Sequence, residues 1–115
     1  MANKYEILTK HIPDLTDGNL QKALVDFDKD LYDFASNNQE INLRDWPGIL
    51  ERNGLQPTPT PEVLDTTTMN AETVISLIFG LNRASQLNKG LELRYTENGA
   101  IVKWLQRLVD IDSES

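Results

Sequence analysis

The chain predicts an all-α fold, a compact single-domain bundle of five to six helices, and three observations lead there. Leu20, Leu24, Phe27, Leu31 and Phe34 recur at steps of four, three, four and three, which draws one apolar stripe down a single helix. From Met69 to Asp110 the chain reads helix, Gly90, short helix, Asn98-Gly99, helix, with stop signals where helices end. Strand-like alternation is confined to Ile41-Asn42-Leu43 and Leu91-Glu92-Leu93, both too short to found a sheet.

Each element has its own justification. Tyr5, Leu8 and Ile12 repeat at helical spacing over residues 4–12, and Pro13 is expected to end that helix. Thr16 or Asp17 is expected to cap the next helix, with the acid in its first turn where the helix dipole favours it. The apolar stripe then runs to Ser36-Asn37-Asn38. Pro47 suits the first position of a following helix, because a missing N–H is harmless there. Ile49 and Leu50 face inward from it, and Asn53-Gly54 closes it.

Gln56-Pro57-Thr58-Pro59-Thr60-Pro61 alternates proline and favours an extended strap over residues 56–61. Asn70 is the expected cap of a long helix, flanked by Met69 and Val74 at the two positions of a hydrophobic staple. That helix buries Val74, Ile75, Leu77, Ile78 and Leu81 and runs to about Leu87. Leu91, Leu93 and Tyr95 mark a short helix. Ile101, Trp104, Leu105 and Leu108 share a face of the last one, which runs from about Ala100 to Val109. One helical domain over residues 1–110 and an acidic, frayed tail over 111–115 are expected.

A chain of 115 residues is the length of one domain and buries enough surface for a core of its own. There is no Cys, which excludes disulfides, thiolate zinc sites and Cys nucleophiles. No leader pattern and no apolar run of membrane-spanning length is visible. A soluble cytoplasmic protein with no membrane partner is expected. Net charge is -7, with -6 of it in residues 1–65. That balance repels phosphate and disfavours direct nucleic-acid binding. Residues 82–108 could pass for a helix-turn-helix with Lys103 and Arg107 on one face, but no further basic residues support it.

Several motifs end in ordinary chemistry. Asp26-Phe27-Asp28-Lys29-Asp30 opens like a calcium loop, yet Leu31 stands where the loop needs Gly and Asn37 where it needs Glu. The segment belongs to the apolar stripe, so Asp26, Asp30 and Asp33 read as a solvated face with Lys22 and Lys29. His11, the one histidine, reads as a cation complementing the end of a short helix. No Gly-rich phosphate loop, nucleophile elbow or cofactor motif is present, so no catalytic residue, metal ligand or cofactor is assigned. Candidate interaction or anion contacts are Arg83, Arg107, Lys103 and Trp46. Arg forks recognise carboxylates, and a tryptophan in a loop before Pro47 suits a contact surface. The competing reading pairs the arginines inside the bundle, with Glu72 or Glu97, and places both tryptophans in the core.

Leu50-Glu51-Arg52-Asn53-Gly54-Leu55, then Asn82-Arg83-Ala84-Ser85-Gln86-Leu87-Asn88-Lys89-Gly90, then Glu97-Asn98-Gly99 and Trp104-Leu105-Gln106-Arg107-Leu108 resemble an uncharacterised bacterial family, domain of unknown function number 6508. The likeness covers about residues 43–112. This chain keeps Arg83 and Ala84 but carries Gln86 and Leu87 where the family has a second Arg and a Phe. The resemblance implies a fold and supplies no mechanism. A non-enzymatic helical module that binds another protein, or a second copy of itself, is the leading expectation. An acidic antagonist covering a partner's nucleic-acid-binding surface is the alternative, and a cofactor-free enzyme built on Arg and carboxylates is a third.

Overall fold

In the computed structural model, which describes residues 5–16, 19–38, 43–54, 69–87 and 90–114, seven α-helical segments close around one core. They are α1 (Glu6–Thr9), α2 (Ile12–Thr16), α3 (Leu20–Asn37), α4 (Trp46–Arg52), α5 (Ala71–Leu87), α6 (Leu91–Glu97) and α7 (Ala100–Glu114), with a 3-10 turn, Leu43–Asp45, leading into α4. No strand occurs among the described residues. The proline-rich strap expected over 56–61 lies outside them.

The stripe of α3 does what its spacing requires. Leu24, Phe27, Leu31 and Phe34 are buried, and Leu20 is half-buried at the open first turn. α5 is wrapped more fully. Thr73 to Ile78 are buried in unbroken succession, so this helix passes through the middle of the bundle and has little outer face. α7 packs against α1, α2, α5 and α6 and buries Ile101, Trp104, Leu105 and Leu108. α6 sits across α3, α5 and α7, while α4 packs on α5. The radius of gyration, 13.0 Å, is that of a folded domain of this length.

Caps and turns follow the local chemistry. Asn70 Oδ1 accepts the Thr73 N–H at 2.8 Å and the Thr73 hydroxyl at 2.7 Å, capping α5. Met69 before it is half-buried against the core that Val74 enters. Gly90 and Gly99 bracket α6 with φ of 88° and 86°, a region where a side chain would be strained.

Four expectations need correction. Pro13 does not end the first helix; it lies in the opening turn of α2, where its absent N–H is harmless, so residues 4–12 are broken into α1 and the start of α2 at Lys10-His11. The cap of α3 is Asn19, whose Oδ1 accepts the Lys22 N–H at 3.2 Å, and the first turn of α3 holds no acid. Thr16 instead turns back to the Ile12 carbonyl within α2. The tail expected to fray after Asp110 is helical through Glu114, because Asp112 Oδ2 accepts the Tyr5 N–H at 3.2 Å and Ile111 packs on the core.

Candidate functional site

Two carboxyls are drawn into the seam between α3 and α6. Asp28 lies four residues after Leu24 and three before Leu31, so its helical position turns it towards the apolar side. Glu92 lies in the first turn of α6, between the half-buried Leu91 and Leu93, and is itself only 7 % exposed. Its backbone N–H donates to Ser85 Oγ at 3.3 Å, and the Thr96 hydroxyl donates to its carbonyl at 2.8 Å, which holds this turn against the end of α5.

Asn82 completes the group. It follows Ile78 by four residues and is therefore carried inward on α5. Its side chain lies beside both carboxyls, and the two carboxyls lie beside each other. Asp28 Oδ1 and Glu92 Oε2 are buried without a conventional donor. Burial pushes the Glu92 carboxyl up, the hydrogen bond and negative charge of Asp28 push it further, and it reaches about 9. Burial also raises Asp28, against hydrogen bonds from Glu92 and Asn82 that lower it. Burial and mutual repulsion thus both favour a shared proton over two anions at this site.

The group continues outward through Tyr32. The Tyr32 hydroxyl donates to Asn82 Oδ1 at 2.7 Å, and Gln86 Nε2 donates to the Tyr32 oxygen at 3.1 Å. With its Oδ1 receiving Tyr32, Asn82 has its amide N–H groups left over for the carboxyls beside it. The donors thus run in one direction from the exposed end of α5 inward to Asn82. The Tyr32 ring meets Phe79 edge-on, with centroids 6.2 Å apart.

Tyr32 itself is partly in solvent. Val25 is 68 % exposed, Leu87 93 % and Tyr32 39 %, and these are the large apolar side chains left in solvent among the described residues. Val25, Lys29 and Tyr32 share one side of α3 at spacings of four and three. Arg83, Gln86 and Leu87 share one side of α5 at spacings of three and four, and Gln86 reaches Tyr32 directly.

The candidates named from sequence separate. Arg83 is exposed on the α5 side of this surface. Arg107 is turned inward: Nε donates to the Met69 carbonyl at 2.9 Å, and Nη1 lies 3.9 Å from Glu114, so its partners are neither Glu72 nor Glu97. Lys103 is exposed on α7. Trp46 is half-buried against Gly80 of α5 and serves packing. Trp104 is buried in the core beside Tyr95, and its Nε1 has no hydrogen-bond partner. His11 is not a solvated helix-end cation, since it is buried, donates from Nε2 to Asp30 Oδ2 at 2.7 Å and meets Phe27 edge-on. Asp30 is accordingly turned to His11 and Lys10 rather than to Lys22 or Lys29.

Sequence reasoning passed over Asp28, Asn82, Glu92 and Tyr32. The signal was available for two of them, because Asp28 and Asn82 are polar residues at apolar-stripe positions. No family model, curated protein or solved structure matches this chain.

Proposed function

We propose that this protein is a small, non-enzymatic helical module of the cytoplasm that binds another protein through the α3–α5 surface around Tyr32. The observation that carries this reading is the exposure of Val25 and Tyr32 on α3 and of Leu87 at the end of α5, where the other large apolar side chains among the described residues are turned inward. Lys29 and Arg83 lie among them on the same helix sides. The partner that fits is an apolar segment carrying carboxylates, whose side chains would take Arg83 in a two-point contact. No helix among the described residues is long and apolar enough to cross a membrane, which accords with a partner met in solution. The resemblance to an uncharacterised bacterial family brings no chemistry to this reading.

The acidic-antagonist reading is weaker on geometry. Of the four acids of α3, Asp28 turns inward and Asp30 is engaged by Lys10 and His11, which leaves Asp26 and Asp33 rather than a row that imitates phosphates. In-cell crosslinking with the wild type, Val25→Asp, Leu87→Asp and Lys103→Ala tests the proposal. One protein should crosslink to the wild type and to Lys103→Ala and be lost from both aspartate variants, with helical dichroism unchanged. Its binding should persist at about 0.5 M salt, where the Debye length is a few ångströms. Crosslinks indifferent to both aspartates, or binding that collapses with salt, would remove this reading.

A further inference from the structure

Asp28 and Glu92 do more than fill the seam between two helices. They are contributed by α3 and α6, which pack together, they lie beside each other, and each has a buried oxygen with no hydrogen-bond partner. Asn82 lies beside both, its Oδ1 accepts the Tyr32 hydroxyl, and Tyr32 stands on the surface assigned to the partner. We propose that Asp28 and Glu92 form a proton-operated latch, in which one proton held between the two carboxyls closes α6 on α3 and Asn82 relays that state to Tyr32. The relay to partner binding rests on the function proposed above, whereas the latch itself does not.

The physical sequence is short. With the proton present, the Glu92 hydroxyl donates to Asp28, both carboxyls take Asn82 amide N–H groups, and Asn82 Oδ1 is left to Tyr32. With the proton lost to solvent, two anions share one poorly hydrated site, and their repulsion acts directly across the α3–α6 contact. α6 is a seven-residue helix between Gly90 and Gly99, both at positive φ, so it is joined to its neighbours by turns that do not belong to either flanking helix. Its displacement withdraws one carboxyl from Asn82 and frees the amide that fixes Tyr32.

No cation is among the groups that act on the two carboxyls. On α3, Lys29 is exposed and Asp30 faces His11 and Lys10. From α2, Asp14 is exposed. α5 offers neutral Asn82 to the pair and carries Arg83 in solvent. From α7, Arg107 is committed to Met69 and Glu114, and Lys103 is exposed. Arg94 and Glu97 of α6 itself are exposed.

The sign of the pH effect follows. An unfolded Glu92 loses its proton near 4.5, whereas the folded one keeps it up to about 9. Between those values the folded state binds the additional proton, so stability is greatest below the lower value, falls as pH rises and levels off above the higher one. Urea unfolding of the whole chain from pH 6 to 8 reads this directly. One proton taken up on folding lowers the wild-type folding constant about tenfold per pH unit relative to Glu92→Gln, whose amide donates to Asp28 without titrating. Asp28→Asn should narrow the pH window of that fall without abolishing it, because it removes the neighbouring anion and leaves burial, the larger cause.

Parallel profiles for the wild type and Glu92→Gln would overturn the latch. Should the variant fail to fold, infrared spectroscopy of the wild type decides: a protonated carboxyl absorption at pH 7.5 supports the proposal, and its absence ends it. The relay has its own readout. The Asn82 side-chain amide resonances should shift in the wild type as pH passes 9 and stay fixed in Glu92→Gln; equal movement in both would sever Asn82 from the latch. A negative crosslinking result leaves these measurements standing, so failure of the binding reading and failure of the latch are told apart.

Discussion

Gly80 of α5 faces the six-membered ring of Trp46 so closely that a Cβ there would stand 2.7 Å from both Cε3 and Cζ3. The indole of α4 thus rests on the bare backbone of α5, and glycine is present because nothing larger fits. In an open helix, Gly→Ala would stabilise by about 1 kcal/mol. Here the methyl must push the Trp46 ring aside, and overpacking of this kind costs about 1–3 kcal/mol. Gly80→Ala should therefore lower the midpoint of urea unfolding and red-shift Trp46 emission. An unchanged or raised midpoint would mean that α4 yields freely.

His11 and Asp30 join α2 to α3 through a 2.7 Å hydrogen bond. Burial pushes the Asp30 carboxyl up, but hydrogen bonds and positive charge from His11 and Lys10 outweigh it and leave Asp30 below its ordinary 3.8. In acid the unfolded chain then binds the proton first, so this contribution is full above 3.8 and is lost as pH falls through the depressed folded value. His11→Ala should cost about 1.5–3 kcal/mol at pH 7, the range for a hydrogen bond to a charged group. Asp30→Asn should show a shallower loss of stability below pH 4 than the wild type, measured by acid titration of helical dichroism.

Much of the fold was legible because helix chemistry is local. The α3 stripe, the Asn70 cap and the Asn98-Gly99 stop each depend on residues within a few positions, and each stands where spacing puts it. What escaped was set by contacts distant in sequence. His11 precedes a proline and looks like a helix end; only the packing of α2 on α3 turns it to Asp30. Asp112 belongs to an acidic run, and its contact with Tyr5, 107 residues earlier, together with Ile111 on the core, anchors that turn. The candidate site was partly readable, since Asp28 interrupts an apolar stripe. Its partner could not be read, because nothing in the seven residues of α6 says that Glu92 meets α3.

Arg107 and Asn70 hold the same turn from two sides. Arg107 Nε donates to the Met69 carbonyl at 2.9 Å, and Asn70 next to it caps α5. Asn70→Ala should cost about 0.5–2 kcal/mol. Arg107→Met keeps the apolar stem but abandons the carbonyl, and should cost a similar amount. Because both variants loosen the lead into one helix, the double variant should lose less than the two single losses added, by about 0.5 kcal/mol or more. Strict additivity in a denaturation cycle would show that the two contacts act independently.

The end of α7 separates a structural tail from an ornamental one. Ile111 packs on the core, Asp112 Oδ2 accepts the Tyr5 N–H at 3.2 Å, and α1 lies against α7. Removing residues 111–115 withdraws a half-buried isoleucine and the acceptor for Tyr5, a change worth about 1–3 kcal/mol on burial and hydrogen bonding together. A frayed tail would contribute nothing beyond the roughly 0.5 kcal/mol typical of surface changes. Tyr5 also packs against Phe34, with ring centroids 5.8 Å apart, so loosening it reaches the far end of the α3 stripe. Amide hydrogen exchange should therefore accelerate at Tyr5 and within α1 after truncation, while α4 stays protected. Unaltered exchange in α1 would place the anchor of the N-terminal helix somewhere other than Asp112.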